Sequence, residues 1–193
     1  MDGSAYRWFN RLADRTPWAH GMVVAYAKYG IGIFAVLLLA TWLVSRRRSD
    51  AATALAALVW GGVAALGSLA LNQVVGHAVA RPRPYIAMPT AHLLVSRTGD
   101  FSFPSDHAAV AAAVTVGLWL VDRRAGLVAG LLALAMACAR VYAGAHYPGD
   151  VLGGLLVGSL VAAAGWIPAR RLIVPVAERG LSSVRELVQT RRT

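Results

Sequence analysis

Apolar residues collect into five long runs along the chain, separated by short polar breaks. An α-helix rises about 1.5 Å per residue and a hydrocarbon core is about 30 Å thick, so about 20 apolar residues cross it. Three runs reach that length, whereas the third and fourth do so only if their helices extend into the polar motifs at their ends. The pattern predicts an all-α fold, an integral membrane helical bundle of about five to six spans. The runs cover residues 21–44, 51–80, 108–121, 125–138 and 151–169.

The residues before the first run predict an interfacial N-terminal helix. Arg7, Arg11 and Arg15 repeat every four residues beside apolar side chains such as Trp8 and Phe9. A basic stripe next to an apolar one is typical of a helix that lies in the membrane surface. A solvated helix face accounts for the same pattern equally well.

Composition favours a membrane protein over a soluble one. Hydrophobic residues make up 58% of the chain and charged residues 15%, whereas a soluble domain is about 25% charged. A disordered chain needs low hydrophobicity and high charge, so that class is excluded. The single cysteine, Cys138, lies inside an apolar run and provides neither a disulfide framework nor a thiolate metal site.

The formal net charge of +10 is mainly a signal of topology. Most of the basic residues fall on one side of a five-span arrangement, and the positive-inside rule makes that side cytoplasmic. The opposite, extracytoplasmic side receives the loop 81–105 and the joint around His146. Nucleic-acid binding is accordingly the weakest alternative. The cytoplasmic residues are Arg46–Arg48, Arg123, Arg124, Arg170, Arg171, Arg179, Arg185, Arg191 and Arg192.

Three clusters of ionisable residues lie at span ends on this outer side, where a single site could collect them. Ionisable groups at membrane depth are costly and therefore indicate function. Arginine forks match phosphate oxygens, and a serine that caps a helix would direct the first backbone N–H groups toward the same anion. The expected ligand is a phosphate. The clusters are Arg81-Pro82-Arg83-Pro84, Pro104-Ser105-Asp106-His107, and Arg140 with His146 and Asp150.

His146 and Asp150 are a candidate nucleophile and its orienting carboxylate. Their four-residue separation places them on one helix face, or in a turn contact because Pro148 and Gly149 intervene. Either way the carboxylate can hold one imidazole nitrogen as N–H and leave the other free to attack phosphorus. His107 could protonate the departing oxygen. This chemistry requires no metal and no other cofactor.

These residues resemble the type 2 phosphatidic-acid phosphatase superfamily, over roughly residues 71–154. Its signature is Lys, six residues, Arg-Pro; then Pro-Ser-Gly-His; then Ser-Arg, five residues, His, three residues, Asp. The resemblance implies that His146 is the phosphorylated nucleophile, Asp150 its orienter and His107 the acid. It also implies three phosphate ligands. These are Arg83, Ser105 and Arg140.

Three positions depart from that signature. The motif lysine falls on Gly76 when counted from Arg83 or on Val74 when counted from Arg81, and Arg81 or His77 could supply the missing cation. The serine before Arg140 is Ala139. Asp106 replaces the motif glycine. It either adds negative charge that keeps His107 protonated or only occupies a favourable place in the first turn of a helix. Arg81 and Asp106 are placed at the phosphate site with the matched residues.

The doubled Arg-Pro, the Phe-Pro-Ser-Asp-His stretch and the His-Tyr-Pro-Gly-Asp stretch are most similar to undecaprenyl-diphosphate phosphatases of the bacitracin-resistance type. This implies a plasma-membrane enzyme with an outward-facing site. It would convert a polyprenyl diphosphate to the monophosphate and inorganic phosphate through a phosphohistidine, without a metal. Residues 1–175 would form the membrane-embedded lipid phosphatase domain and residues 176–193 a basic cytoplasmic tail.

Alternatives remain for both the substrate and several polar residues. A phosphatidate or phosphatidylglycerophosphate phosphatase would use the same residues, and a small lipid or anion carrier would bind the anion without cleaving it. Asn72, Gln73 and His77 could line the site or form interhelical hydrogen bonds. Asp100 and Arg97 could form a lid pair, although plain solvated charges are preferred. The oligomeric state is not fixed by the sequence.

Overall fold

The computed structural model describes the backbone of residues 2–190 and the side chains of residues 2–183. Within residues 2–190 there are helices and no strands, which confirms the all-α prediction. The helices are α1 (Asp2–Arg15), a 3₁₀ turn (Pro17–Ala19), α2 (His20–Tyr29), α3 (Ile31–Ser45), α4 (Ala51–Val79), α5 (Pro84–Ala87), α6 (Asp106–Val121), α7 (Arg123–Tyr142) and α8 (Pro148–Thr190).

Each of the five apolar runs is helical, but the number of spans stays a prediction. Among the described residues, three segments are long and apolar enough to cross a membrane: Ala51–Ala87, Arg123–Tyr142 and Pro148–Ser183. The pair Pro17–Tyr29 and Ile31–Ser45, bent by 61°, would be a fourth. Helix α6 is apolar but has only 16 residues. The protein is therefore an apolar helical membrane bundle with three to four candidate spans.

The first apolar run is broken at Gly30 rather than forming one straight helix. A Cβ at this position would lie 2.6 Å from Met136 Cε, much closer than carbon atoms pack. Glycine thus lets the corner between α2 and α3 sit directly on α7. The break could not be read from hydrophobicity, because the run is apolar on both sides of it.

Small residues allow α4, α6 and α8 to pack closely at the centre of the bundle. A Cβ on Gly117 would lie 2.8 Å from Gly61 Cα, and one on Gly158 would clash with the backbone of Ala109. Close backbone approach through small residues is the usual way in which membrane helices associate. Larger side chains such as Phe34 and Leu118 fill the space around this contact.

The two ends of the bundle differ in chemistry. At one end Arg48 Nη1 lies 3.5 Å from the carbonyl oxygen of Val121, which brings the Arg46–Arg48 segment beside the turn between α6 and α7. Asp122 caps α7 there by accepting from the N–H of Ala125 at 2.9 Å. The three ionisable clusters all lie at the other end. As predicted, the arginines at 46–48 and 123–124 therefore lie at the opposite end of the bundle from the ionisable clusters.

Helix α1 lies at the site end of the bundle and packs against α7 and α8. Its buried Tyr6 contacts Tyr147 with ring centroids 5.4 Å apart. Asn10 Nδ2 donates to the carbonyl oxygen of His92 at 2.8 Å. Trp8 and the three arginines of the basic stripe are exposed. The helix is amphipathic as predicted, and its interfacial position stays a prediction.

Helix α8 continues well beyond the predicted end of the last span. It passes Pro168 and Pro175 without a break in the helix and ends at Thr190. The predicted tail, residues 176–193, therefore begins inside this helix. The side chains from residue 184 and all of residues 191–193 lie outside the described part of the chain, and with them Arg185, Arg191 and Arg192.

Candidate active site

The three predicted clusters meet at one end of the helical bundle. Arg83 Nη1 lies 3.3 Å from His146 Nε2, which joins the first cluster to the third. The backbone N–H of Ser105 donates to the carbonyl oxygen of Asp150 at 2.9 Å, which joins the second cluster to the third. Residues that lie 63 and 45 positions apart in the sequence thus come into contact and form one polar group beneath the loop 80–105.

Local backbone signals place each cluster. Helix α4 ends at Val79, and the residue that caps it, Ala80, has a positive φ of 49°. Arg83 is the N-cap of α5, with proline following at the first helical position, where the lack of an N–H costs nothing. Ser105 is the N-cap of α6, with Asp106 in the first turn. The Ser105 side chain makes no capping hydrogen bond. Ser105 therefore has the predicted position at the start of α6, but its hydroxyl does not cap the helix.

The hydrogen bonds of His146 fix its tautomer. Nδ1 lies 2.8 Å from the carbonyl oxygen of Ser102, and Nε2 lies 3.3 Å from Arg83 Nη1. A carbonyl oxygen only accepts and a guanidinium only donates, so Nδ1 carries the proton and Nε2 carries the lone pair. Burial is the main cause of a lowered pKa of His146; Asp150 acts to raise this pKa, the charges of Arg140 and Arg83 act to lower it, and the net pKa is below the ordinary value. The imidazole is therefore neutral at neutral pH.

Asp150 supports this arrangement through Ser102 rather than by a direct hydrogen bond to the imidazole. Its Oδ2 is 3.7 Å from His146 Nδ1, longer than a hydrogen bond. The same oxygen accepts from the Ser102 hydroxyl and from the backbone N–H of Tyr147. Because α8 begins at Pro148, the relationship is the turn contact rather than two side chains on one helix face. Sequence reasoning missed Ser102, whose position outside every motif gives no signal.

Arg83 is almost completely buried and is held from two sides. Nη1 donates to the carbonyl oxygen of Ala145 at 3.1 Å, and Nη2 donates to Asp100 Oδ2 at 2.8 Å. Asp100 is therefore not a plain solvated charge, and its partner is Arg83 rather than Arg97. Burial acts to raise the pKa of Asp100. Its hydrogen bond with Thr98 and the charge of Arg83 act in the opposite direction and together exceed the effect of burial, so the pKa of Asp100 is below its usual value. Asp100 is ionised at neutral pH.

Arg81 was predicted to bind the phosphate, but in the structure both of its terminal nitrogens pair with carboxylates. Nη1 lies 2.8 Å from Asp150 Oδ1 and Nη2 lies 2.6 Å from Asp2 Oδ2. The guanidinium carbon lies 4.0 Å from the centre of the Tyr147 ring, within the range of a cation–π contact. Asp2 also accepts from the N–H of Gly149 at 2.9 Å. Asp2 was not singled out by sequence reasoning, since one acidic residue in an N-terminal segment carries no signal.

Two buried polar atoms of the predicted clusters have no hydrogen-bond partner among the described residues. They are Ser105 Oγ and Arg140 Nε. Arg140 is 8% exposed and directs Nη1 to the carbonyl oxygen of Ala27 at 3.3 Å. Buried polar groups are nearly always paired, so each exception needs an explanation. Both atoms can donate, so each is able to pair with an oxyanion such as phosphate.

His107 and Asp106 occupy the first turn of α6. Asp106 Oδ1 accepts from Asn72 Nδ2 at 2.8 Å. Asp106 thus has the first-turn position that one of its two interpretations requires, and its hydrogen-bond partner comes from α4. His107 lies close enough to Arg140 and Arg83 for their charges to act on it. Nowhere in residues 2–183 do three His, Cys, Asp or Glu side chains form a group that could hold a metal ion.

Comparison with known proteins places the chain in a family. Residues 57–172 match the model of the PAP2 superfamily. The undecaprenyl-diphosphatase BcrC of Bacillus subtilis (strain 168) is 28% identical over 161 residues, which are 83% of this chain and 80% of that protein. A decaprenylphosphoryl-5-phosphoribose phosphatase of Mycobacterium tuberculosis (strain CDC 1551 / Oshkosh) is 30% identical over 72% of each chain.

A solved structure shares the fold. The crystal structure of a transmembrane PAP2 type phosphatidylglycerolphosphate phosphatase from Bacillus subtilis superposes with a TM-score of 0.61. It is 22% identical in sequence and covers 88% of this chain and 87% of the other. The likeness extends over nearly the whole helical bundle, so the fold is that of a membrane PAP2 protein.

The chain belongs to the PAP2 superfamily. The resemblance that the three motifs indicated is confirmed, including the similarity to undecaprenyl-diphosphatases of the BcrC type. The protein is a membrane phosphatase.

Proposed function

We propose that this phosphatase hydrolyses undecaprenyl diphosphate, or a similar polyprenyl diphosphate, to the monophosphate and inorganic phosphate. The observation that carries the proposal is the contact between Arg83 and His146. It leaves the Nε2 lone pair of a neutral imidazole beside a guanidinium that can hold a phosphate oxygen. The relatives named undecaprenyl-diphosphatase support the choice of lipid.

In the first step His146 Nε2 attacks the terminal phosphorus of the diphosphate. A phosphorus–nitrogen bond forms as the bond between that phosphorus and the bridging oxygen breaks. Arg83, Arg140 Nε, Ser105 Oγ and the first backbone N–H groups of α6 stabilise the charge on the three remaining oxygens. Positioning and electrostatic stabilisation of this kind supply most of the catalysis in phosphoryl transfer.

His107 is proposed to protonate the bridging oxygen as the prenyl monophosphate leaves. In the free site burial is the main effect that opposes a charge on this histidine, and the charges of Arg140 and Arg83 oppose it further. A bound diphosphate brings negative charge next to the ring, which favours its protonated form. The acid is thus charged when substrate is present.

In the second step water attacks the phosphohistidine while His107 accepts a proton from it. The phosphorus–nitrogen bond breaks, inorganic phosphate leaves and His146 returns to its neutral form. Ser102 and Asp150 keep the Nδ1–H of His146 pointing to the Ser102 carbonyl oxygen in both steps, so Nε2 is the nitrogen that is phosphorylated and then released. No step requires a metal ion.

The site is proposed to face outward from the plasma membrane. It lies at the opposite end of the bundle from Arg46–Arg48 and Arg123–Arg124, which the positive-inside rule assigns to the cytoplasm. The prenyl chain would remain in the bilayer while the diphosphate enters the polar group beneath the loop 80–105.

Phosphate release from undecaprenyl diphosphate tests the proposal, measured in detergent with EDTA and beside phosphatidate. We expect turnover of the diphosphate in chelator, loss of turnover in His146→Ala, and an acid-labile phosphoenzyme from substrate labelled on the terminal phosphate. Substantial hydrolysis by His146→Ala would contradict the nucleophile, and loss of activity in EDTA that added Mg²⁺ restores would contradict the metal-independent mechanism.

A further inference from the structure

A small cavity of about 260 Å³ lies at the end of the bundle opposite the candidate active site, between the end of α3 and the turn from α6 to α7. One of its walls is polar and consists of Thr41, Ser45 and Arg48. Ala40 and Val44 form an apolar wall beside it. Within each wall the residues are three or four positions apart, so each wall follows one face of α3. The cavity is therefore amphipathic.

Five arginines meet at the polar end of this cavity, and they come from two segments far apart in the sequence. Arg48 lines the cavity, and its Nη1 lies 3.5 Å from the carbonyl oxygen of Val121. This contact brings the end of α3 beside the start of α7. The converging residues are Arg46, Arg47, Arg48, Arg123 and Arg124.

The two carboxylates within the segments 46–50 and 121–125 are already engaged. Asp50 pairs with Arg48 at 3.0 Å, and Asp122 accepts from the N–H at the start of α7. The other four arginines are exposed and form no ion pair with any side chain in the described part of the chain. Like charges that lie close together repel one another. This end of the bundle therefore favours an anionic ligand.

The apolar wall identifies the anion as part of a lipid. Val36, Ala40 and Val44 follow one face of α3, and all three are exposed. This face extends from the cavity toward the middle of the bundle, where an acyl chain can pack on it. From Ala40 to Arg48 the cavity extends about 12 Å along the helix. That distance covers the interfacial layer of one leaflet, about 5–8 Å, and the start of the hydrocarbon.

We propose that this cavity binds a phospholipid with a net negative headgroup, such as phosphatidylglycerol, from the leaflet at this end of the bundle. The phosphate lies among the guanidinium groups, which match its oxygens, and one acyl chain lies along the exposed face of α3. Basic clusters next to membrane helices attract anionic lipids in this way. A zwitterionic headgroup carries an ammonium group that the same arginines repel. The site shares no residue with the active site, so the inference is independent of the proposed function.

Lipid binding to the full chain in detergent tests the site, with native mass spectrometry as the measurement. The two probes are phosphatidylglycerol and phosphatidylcholine with identical acyl chains. We expect phosphatidylglycerol to have a Kd at least about tenfold lower, because each arginine near an anionic headgroup contributes about a fivefold gain in affinity. Equal Kd values would overturn the proposal.

Charge variants assign this preference to the cavity. Arg46→Gln/Arg47→Gln and Arg123→Gln/Arg124→Gln each remove two of the five arginines, one pair from each segment. Each double variant should raise the Kd for phosphatidylglycerol about tenfold or more. An unchanged Kd in both variants would contradict the site.

The matched control for charge is Arg170→Gln/Arg171→Gln. It removes the same charge at exposed positions of α8 that do not line the cavity, and it should leave the Kd nearly unchanged. An equal rise of the Kd in this variant would show that net charge alone attracts the lipid, and the proposed site would be wrong.

A variant that fills the cavity tests the lipid chain without a change of charge. Ala40→Trp places a large side chain on the exposed apolar wall, where tryptophan suits the membrane interface, and it should raise the Kd for phosphatidylglycerol. Leu39→Trp is the control, since Leu39 is exposed on α3 but does not line the cavity. An equal Kd in the two variants would refute the cavity as the binding site. This pair decides the proposal even if the arginine variants do not fold.

Glycerol 3-phosphate in excess separates a lipid site from a phosphate site. It carries the anion without the acyl chains, so it should not displace bound phosphatidylglycerol. Complete displacement would show that the anion alone is recognised, against the assignment of a lipid.

Discussion

Arg81 Nη1 lies 2.8 Å from Asp150 Oδ1, in an ion pair whose carboxylate is completely buried. The second terminal nitrogen of Arg81 is held by Asp2, and its guanidinium stacks on Tyr147. Asp150 in turn binds Ser102, whose carbonyl oxygen accepts from His146. Arg81 is thereby connected to the nucleophile through Asp150, and Asp2 connects α1 to the same network.

Substitution of Arg81 should distinguish support of Asp150 from binding of substrate. A hydrogen bond to a charged group contributes about 1.5–3 kcal/mol, which corresponds to about a 10- to 100-fold effect on rate if the nucleophile depends on it. We expect Arg81→Gln to lower kcat by this factor with little change in KM. Steady-state kinetics on undecaprenyl diphosphate provide the measurement.

Arg83→Gln is the comparison for this experiment, because Arg83 is the proposed phosphate ligand and should raise KM as well as lower kcat. If Arg81→Gln raised KM as strongly as Arg83→Gln, Arg81 would be a phosphate ligand after all. Asp2→Asn should give a weaker effect of the same kind as Arg81→Gln, since it removes the charge of one of the two carboxylates that hold the guanidinium.

Removal of the Ser102 hydroxyl should slow the reaction without preventing it. In Ser102→Ala the backbone carbonyl oxygen still accepts from His146 Nδ1, but Asp150 no longer binds this segment. We expect kcat to fall about tenfold, the value of one hydrogen bond to a carboxylate. Ser68→Ala is the control, since Ser68 is also buried but bonds only to its own helix. Equal activity of the two variants would show that the Ser102–Asp150 contact has no catalytic role.

The pH profile should report the lowered pKa of His146. The nucleophile must be neutral, and burial together with Arg140 and Arg83 moves its pKa below the ordinary value of 6.5. Activity should therefore persist below pH 6.5 and fall only at more acidic pH. In Arg83→Gln one of the charges that disfavour the imidazolium is gone, so the acidic limb of the residual kcat/KM should move to higher pH. A limb that stays in place would show that His146 does not control it.

Sequence reasoning predicted the parts of the site that rest on spacing. Motifs that combine residue type with fixed separation, together with the order of the spans, predicted one site, and the roles of its residues stay predictions. These residues are Arg83, Ser105, His107, Arg140, His146 and Asp150. Asp2, Ser102 and the Asp100–Arg83 pair were not found, since each depends on how a loop folds over the bundle. The corner at Gly30 and the continuation of α8 past Pro175 likewise depend on packing, which hydrophobicity does not encode.

Asp100 should compete with substrate for Arg83. Its carboxylate accepts from Arg83 Nη2 at 2.8 Å, so a phosphate oxygen that binds the same nitrogen has to displace it. Because Asp100 is 48% exposed, the pair contributes at most about 1 kcal/mol. We therefore expect Asp100→Asn to lower KM for undecaprenyl diphosphate by no more than about fivefold, with kcat nearly unchanged. Arg97→Gln, a charge change in the same loop away from Arg83, should leave KM unaltered. A higher KM in Asp100→Asn would instead show that Asp100 holds Arg83 in place for the substrate.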